Sequence, residues 1–424
     1  MRIGGATSAP LLALFPDTAA LEDGELVVGG VRTSALAREF GTPLVVYCCD
    51  TLLACARAYA RVDPEALVVY GTKAFPNIAL LRLFAAEGLG ADVSTGGELE
   101  FALQAGLRGE RVVFHGNNKS DEELHAAAAA EALVVLDALE EVSRARAAGV
   151  QSALVRVTPG IEADTHHAIR TAHAESKFGL VADDAVAAVG DALAAGLDVR
   201  GLHVHIGSQL IRTSESLLAV ERLVDVAEHC RAELGWTPNV FNLGGGLAVR
   251  YTLAETIPSP QEFAGELVRH LRAQWTEPAR VILEPGRSLI GRAGFTLYRV
   301  GVVKRTTGVV YAAIDGGMSD NPRPQLYGSR YEALLANRAG DPVAGTYRIA
   351  GKHCESGDVL IDAVALPEPR RDDLLAVPAT GAYTLGMASN YNGVPRPAAV
   401  LVADGNAELI RRRESLEDLL SLER

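Results

Sequence analysis

Between about residue 40 and residue 290 the chain alternates short apolar runs with Ala-, Leu- and Glu-rich stretches. No other feature constrains its fold so tightly. The runs fall at 67–70, 90–93, 111–114, 132–136, 153–157, 201–206, 240–243 and 280–283, and each is followed by turn residues. Their length suits strands buried on both faces, as in a parallel sheet covered by helices. Most are followed by apolar residues spaced three to four apart, as in Leu217, Leu218, Val220, Leu223, Val224 and Val226, which is the period of an amphipathic helix. Eight such strands with intervening helices over roughly 250 residues match the size and count of a (β/α)8 barrel.

A barrel of this kind gathers the C-terminal ends of its strands into one bowl, where its chemistry is done. The polar residues at those ends are, in chain order, Lys73, Asp92 with Ser94, His115, Asp137, Arg156, His205, the triplet Gly244, Gly245 and Gly246, and Glu284. Lys73 draws attention because only five of the 40 basic residues are lysines. An amine at a strand-to-helix junction can form a Schiff base, although a surface lysine lying along a loop is the ordinary alternative. The glycine triplet follows the seventh strand, where barrels commonly hold phosphate; a plain tight turn is the alternative.

Past residue 290 the texture changes. Strand-like runs at 295–303, 309–314, 346–349 and 398–402 are separated by Gly, Pro and Asp, which reads as an antiparallel β domain. The hairpin-like stretch 24–29 is expected to add a strand to it, making that domain discontinuous. The expected division is a barrel at 39–289 and a β domain at 1–38 and 290–424. A net charge of −13 argues against nucleic acid or an anionic membrane surface as partner. No apolar stretch is long enough to span a bilayer, and no basic segment precedes the N-terminal apolar patch. Five cysteines lack metal-ligand spacing and make a poor disulfide framework, which fits a cytoplasmic enzyme. The histidines at 166, 167 and 173 match no standard zinc motif, so no metal is expected.

Nine short motifs in order resemble the fold-III pyridoxal-phosphate decarboxylase family, most closely its diaminopimelate decarboxylases. They are Tyr-Gly-Thr-Lys-Ala at 70–74, Phe-His-Gly-Asn-Asn-Lys-Ser at 114–120, Ser-Lys-Phe-Gly at 176–179 and His-Val-His-Ile-Gly-Ser-Gln at 203–209. Asn-Leu-Gly-Gly-Gly at 242–246 and Glu-Pro-Gly-Arg at 284–287 follow. The last three are the Asp-Gly-Gly-Met-Ser-Asp-Asn-Pro-Arg-Pro run at 315–324, Cys-Glu-Ser-Gly-Asp at 354–358 and Gly-Ala-Tyr at 381–383. The resemblance covers nearly the whole chain.

That resemblance implies pyridoxal 5'-phosphate as cofactor, with Lys73 as its Schiff-base lysine. It places Glu284 against the pyridine nitrogen, where a carboxylate favours the protonated ring and a strong electron sink; a racemase-type site usually has Arg there. It stacks His205 on the cofactor ring and turns Ser208, Gly244, Gly245 and Gly246 toward the phosphate. Pro285, Gly286, Arg287 and Tyr383 are added to the cofactor set, and Asp92 to the network orienting the lysine. Cys354 resembles the acid that protonates the product carbanion. In the family it comes from the neighbouring subunit, so a homodimer with shared sites is implied. Glu355 is expected to pair the distal ammonium of a diaminopimelate substrate. Arg323, Tyr327 and Arg287 are expected at its distal carboxylate, and Tyr383, which adds a phenol to the phosphate, is also counted with the substrate set; whether Arg287 meets substrate, phosphate or both stays open. The expected reaction converts meso-2,6-diaminopimelate to L-lysine and CO2. A related decarboxylase for another basic or D-amino acid, and an inactive cofactor-binding regulator, are the alternatives.

Overall fold

The computed structural model describes residues 9–161 and 176–424, in two compact units. One unit is formed by Cys55–Ala248 and Ile257–Ser288, the other by the chain up to Ala54 together with Val249–Thr256 and Leu289–Arg424.

The first unit is a closed barrel of eight parallel strands in sequential order. They are β1 (Leu67–Gly71), β2 (Gly90–Val93), β3 (Val112–Phe114), β4 (Leu133–Leu136), β5 (Ser152–Val157), β6 (Asp198–Val204), β7 (Val240–Asn242) and β8 (Arg280–Leu283). All eight fall on the apolar runs read from the sequence. Pairing of β8 with β1, Ile282 opposite Leu67, closes the ring. Alternation along each strand builds two layers, as the pleat requires. Leu67 and Val69 join Val113, Leu133, Val135, Leu154, Val240 and Ile282 in one buried cluster. Tyr70, of opposite parity, meets Phe84 of the helix Ile78–Ala86 with ring centroids 5.0 Å apart.

Local chemistry sets where the helices begin. Asn77, Ser120 and Ser259 each accept a backbone N–H at a helix start, and Ser120 and Ser259 do so in reciprocal pairs with Glu123 and Glu262. Each such cap stabilises its helix by about 1 kcal/mol.

The second unit is built on the long strand Gly294–Arg305, whose two faces serve different cores. Phe295 and Leu297 lie in a cluster with Leu44, Val46 and Val400. Tyr298 and Val300 lie in one with Ile314, Ile349 and Val377. The sheet runs Val359–Leu366, Gly345–Ala350, Val310–Ile314, Gly294–Arg305, Leu44–Cys48, Ala398–Ala403, Asn406–Arg411, with Leu374–Val377 and Leu334–Leu335 off that path.

One sequence expectation changes here and another is refined. The sheet is mostly antiparallel, as expected, but with two parallel pairings, Val310–Ile314 with Gly345–Ala350 and Leu44–Cys48 with Ala398–Ala403. Leu44–Cys48, assigned by sequence to the barrel segment, belongs to this sheet. An apolar run buried on both faces does not name its partner, and pairing with residues 294–297 and 398–402 decides it. As expected, the stretch at 24–29 contributes a strand, Glu25–Val28, to this discontinuous unit, where it pairs in a three-stranded sheet with Ala20–Glu22 and Val31–Arg32. Among the described residues no helix is long and apolar enough to cross a membrane. The histidines at 166, 167 and 173 lie outside the described residues.

Candidate active site

The barrel register sets the floor of the site. His203 lies opposite Arg156 on β5 and Asn242 on β7, and Asn242 lies opposite Ile282 on β8. Glu284 follows two residues beyond Ile282 and so rises just above this layer. It is 7 % exposed. His115 Nε2 donates to its Oε1 at 2.7 Å and Asn242 Nδ2 donates to the same oxygen at 2.6 Å. His203 Nε2 stands 3.4 Å from Oε2. Burial pushes the Glu284 carboxyl up, but His115 and His203 outweigh it and hold the group well below the usual carboxylate range. Burial also drives His203 down to about 4, so its imidazole is neutral near pH 7. Both of its ring nitrogens are buried with no hydrogen-bond partner among the described residues.

Lys73 sits in the 3₁₀ turn Thr72–Ala74, directly after β1. The turn is pinned by Thr72 Oγ1, which donates to the Asp92 carbonyl at 2.6 Å, and by the Gly71 N–H, which reaches the Pro285 carbonyl at 3.2 Å. Asp92 is raised to about 6, chiefly by burial, with the His115 and Lys73 charges opposing the rise. Lys73 also acts on His205, which burial and then the Lys73 and Arg156 charges hold well below the ordinary imidazole value. His205 Nδ1 accepts the Gly245 N–H at 3.3 Å. A neutral imidazole that accepts at Nδ1 carries its proton on Nε2.

The glycine loop lies against the same strand ends. A Cβ at Gly245 would collide with the Glu284 carbonyl oxygen. The Gly244 N–H is held by Asn242 Oδ1 at 3.0 Å, and the Glu284 N–H by the Gly244 carbonyl at 2.8 Å. Arg287, 6 % exposed, donates from Nε and Nη2 to Ser208 Oγ at 3.1 and 3.0 Å. The guanidinium and the hydroxyl therefore act as one unit.

The barrel thus brings Lys73, Asp92, His205, Ser208, Gly244, Gly245, Gly246, Glu284, Pro285, Gly286 and Arg287 to its strand ends. Sequence reasoning placed His115 at a strand end without giving it a role and left Asn242 out, although both lie in quoted motifs. The signal that finds their roles is register, since Asn242 reaches Glu284 from the adjacent strand β7 and His115 from just beyond β3. Much of the 114–120 motif is structural. Lys119, wholly buried, pairs with Glu141 at 2.7 Å and donates to the Gly116 carbonyl at 2.7 Å, while Ser120 caps the next helix.

The other candidates lie in the β unit. Cys354 and Glu355 are exposed, and the Cys354 N–H is held by Asn392 Oδ1 at 2.9 Å. All five cysteines are free thiols. Arg323 is only 4 % exposed. Its guanidinium lies 4.5 Å from the Tyr251 ring centre, and Nη1 donates to the Tyr331 hydroxyl at 2.7 Å. Its Nε has no hydrogen-bond partner among the described residues. Tyr327 closes the short helix Arg323–Tyr327, and Tyr383 takes a left-handed backbone at φ 58°.

The barrel site suits an anionic pyridine-type cofactor. One carboxylate is kept ionised by N–H donors with Oε2 still able to accept from a ring N–H. A neutral imidazole faces the interior, an amine stands at the rim, and a glycine loop beside an Arg–Ser pair admits a phosphate. The ligand atoms of His115, His203 and Glu284 lie within 4.8 Å of one another, a spacing a metal ion could also use. Comparison with known proteins decides between these uses. Residues 50–291 match the family described as pyridoxal-dependent decarboxylase, pyridoxal binding domain. The diaminopimelate decarboxylase of Halalkalibacterium halodurans is 43% identical, covering 94% of this chain and 95% of the relative. That of Actinosynnema pretiosum is 44% identical, covering 99% and 98%. The crystal structure of diaminopimelate decarboxylase from M. jannaschii in co-complex with L-lysine superposes with a TM-score of 0.90 at 32% identity, covering 96% of this chain and 98% of that one. The cofactor of this barrel is pyridoxal phosphate, and the chain belongs to the diaminopimelate decarboxylase family of pyridoxal-dependent decarboxylases.

Proposed function

We propose that this protein decarboxylates meso-2,6-diaminopimelate to L-lysine and CO2. The observation that carries the reading is Glu284, a buried carboxylate held ionised by His115 and Asn242 at the strand ends that also present Lys73. When bound, pyridoxal phosphate supplies an electron sink for the pair of electrons left as CO2 departs.

The chain's own residues do the rest. Lys73 would hold the cofactor through its amine. Glu284 would accept a hydrogen bond from the ring N–H and favour its charged form. His205, neutral and oriented by the Gly245 N–H, would pack against the ring without adding a competing charge. Arg287 orients Ser208 toward the phosphate beside the glycine loop, which favours phosphate over substrate as the group Arg287 serves. Pro285 and Gly286 line the same loop, Asp92 orients the lysine, and Tyr383 adds a phenol to the phosphate and substrate side.

The protein acts as a homodimer in which Cys354 of one subunit completes the site built around Lys73 of the other. Cys354 returns a proton to the α-carbon after CO2 leaves, a task suited to a thiol whose acidity can be tuned near working pH. Glu355 pairs the distal ammonium. Arg323, with Tyr327, takes the distal carboxylate; its unpartnered Nε supports that role, because a buried guanidinium N–H gains most from a carboxylate.

The test is purified protein with cofactor, offered diaminopimelate isomers, ornithine, lysine and arginine while CO2 and product are followed. Meso-diaminopimelate should be the preferred substrate and L-lysine its product. Lys73→Ala should lose turnover and the borohydride-reducible cofactor adduct together. Ornithine turned over better than diaminopimelate would sink the assignment.

A further inference from the structure

We propose that Asp358 is the positioning residue that fixes Cys354, through the turn on which it stands, against the loop leading to Arg323. The inference rests on the reading of Cys354 as proton donor and goes beyond it, naming what holds that exposed thiol in place.

The Asp358 side chain is fully buried. Its Oδ1 accepts the Met318 N–H at 2.8 Å, from the loop that runs on to Arg323. Its Oδ2 accepts two donors from the residue next to Cys354: the His353 backbone N–H at 2.9 Å and His353 Nδ1 at 2.7 Å. One carboxylate therefore ties two loops together by three N–H bonds. The backbone reinforces the link, with Lys352 N–H on the Gly316 carbonyl at 2.9 Å, Gly351 N–H on the Asp358 carbonyl at 2.9 Å, and Asp358 N–H on the Glu355 carbonyl at 3.1 Å. Gly351 leaves room for the carboxylate, since a Cβ there would collide with it.

The far side of the turn is held separately. The His353 ring stacks on Tyr391, centroids 5.8 Å apart and planes 17° apart, and Asn392 Oδ1 takes the Cys354 N–H. Cys354 itself is exposed, so its position depends on these neighbours rather than on burial of its own side chain. A carboxylate accepts at both oxygens and donates from neither, so it can take all three N–H groups. Asparagine of the same shape would point its own N–H₂ at one of those donors and release at least one loop.

The experiment is a double-mutant cycle on the holoenzyme. Asp358→Asn should lower kcat/KM for meso-diaminopimelate by about 10- to 100-fold, the scale of losing hydrogen bonds to a charged group, while cofactor content and the cofactor absorption band match the unmodified enzyme. If Asp358 acts through Cys354, adding Asp358→Asn to Cys354→Ala should cost no more than about threefold beyond Cys354→Ala alone, because coupled residues are not additive. Losses that multiply across the double variant, or full activity in Asp358→Asn, would overturn the proposal. Should Asp358→Asn fail to fold, His353→Phe keeps a ring on Tyr391 and removes one donor; its loss should likewise vanish in the Cys354→Ala background, and a multiplying loss overturns the proposal there too. A wild-type enzyme with no diaminopimelate turnover would instead sink the underlying functional reading.

Discussion

Two buried carboxyls, Glu284 in the barrel and Asp320 in the β unit, are tuned in opposite directions, and the cause is local in each case. Glu284 is buried but surrounded by N–H donors and stays ionised. Asp320 in the β unit is also buried, with the Tyr298 hydroxyl and the Gly317 N–H as its donors, yet burial raises it to about 7. A carboxyl raised in the folded state favours folding less as pH climbs. Well below pH 4 it is protonated in both states. Between its unfolded value and about 7 only the unfolded state releases the proton, and folding loses on the order of 1.4 kcal/mol per pH unit from this group. Asp320→Asn cannot titrate. The difference in denaturation midpoint between the variant and the wild type should therefore move in favour of the variant as pH rises from 4 to 7. A constant difference across that range would refute the assignment.

At the scale of elements, the loop after β7 shows how a short motif becomes a site. Asn242 ends the strand, turns its amide N–H₂ to Glu284 and its carbonyl to the Gly244 N–H, and so locks the triplet to the carboxylate. Gly245 must approach the Glu284 carbonyl without a Cβ. Gly245→Val should displace that loop at a cost of about 1–3 kcal/mol, the usual range for overpacking, and weaken cofactor binding accordingly. Titration of the stripped protein with pyridoxal phosphate, beside a helicity measurement by circular dichroism, checks this. Undiminished affinity would show that the loop does not carry the phosphate. The N-terminal turns of two barrel helices rest on a local pattern, since Ser120 and Ser259 each stand three positions before an acidic residue that completes the cap. The strand Leu44–Cys48 was not read from the sequence as a strand; its residues fell within the barrel segment 39–289, and only its pairing shows its sheet.

At the scale of the whole molecule, the proposed site residues divide between a barrel that carries Lys73, His205 and Glu284 and a β unit that carries Arg323, Cys354, Glu355 and Tyr383. Subunit mixing tests whether they act across a dimer. Lys73→Ala and Cys354→Ala proteins, each impaired alone, should complement when their subunits exchange. Equal amounts reassort to about half mixed dimers, each with one intact site of two, so about a quarter of full activity should return. Residual decarboxylation by the cysteine variant is subtracted first. No recovery despite proven exchange would place Cys354 in its own chain's site or in none.

The sequence by itself determined the barrel, because a strand buried on both faces and a helix with one apolar stripe each leave a local period that can be counted. It also determined the chemistry of the rim, since Lys73, the glycine triplet and Glu284 stand directly after their strands. Only the tertiary structure decided what those groups meet. His115 and Asn242 reach Glu284 from 169 and 42 residues away, and Asp358 joins a loop 40 residues upstream to the turn beside it. Such bonds depend on the register of closed sheets and on which loops are brought together, and no local period records either. The buried state of Arg323 is of the same kind. Its residue type named a carboxylate partner, whereas Tyr251 and Tyr331 came to it through the fold.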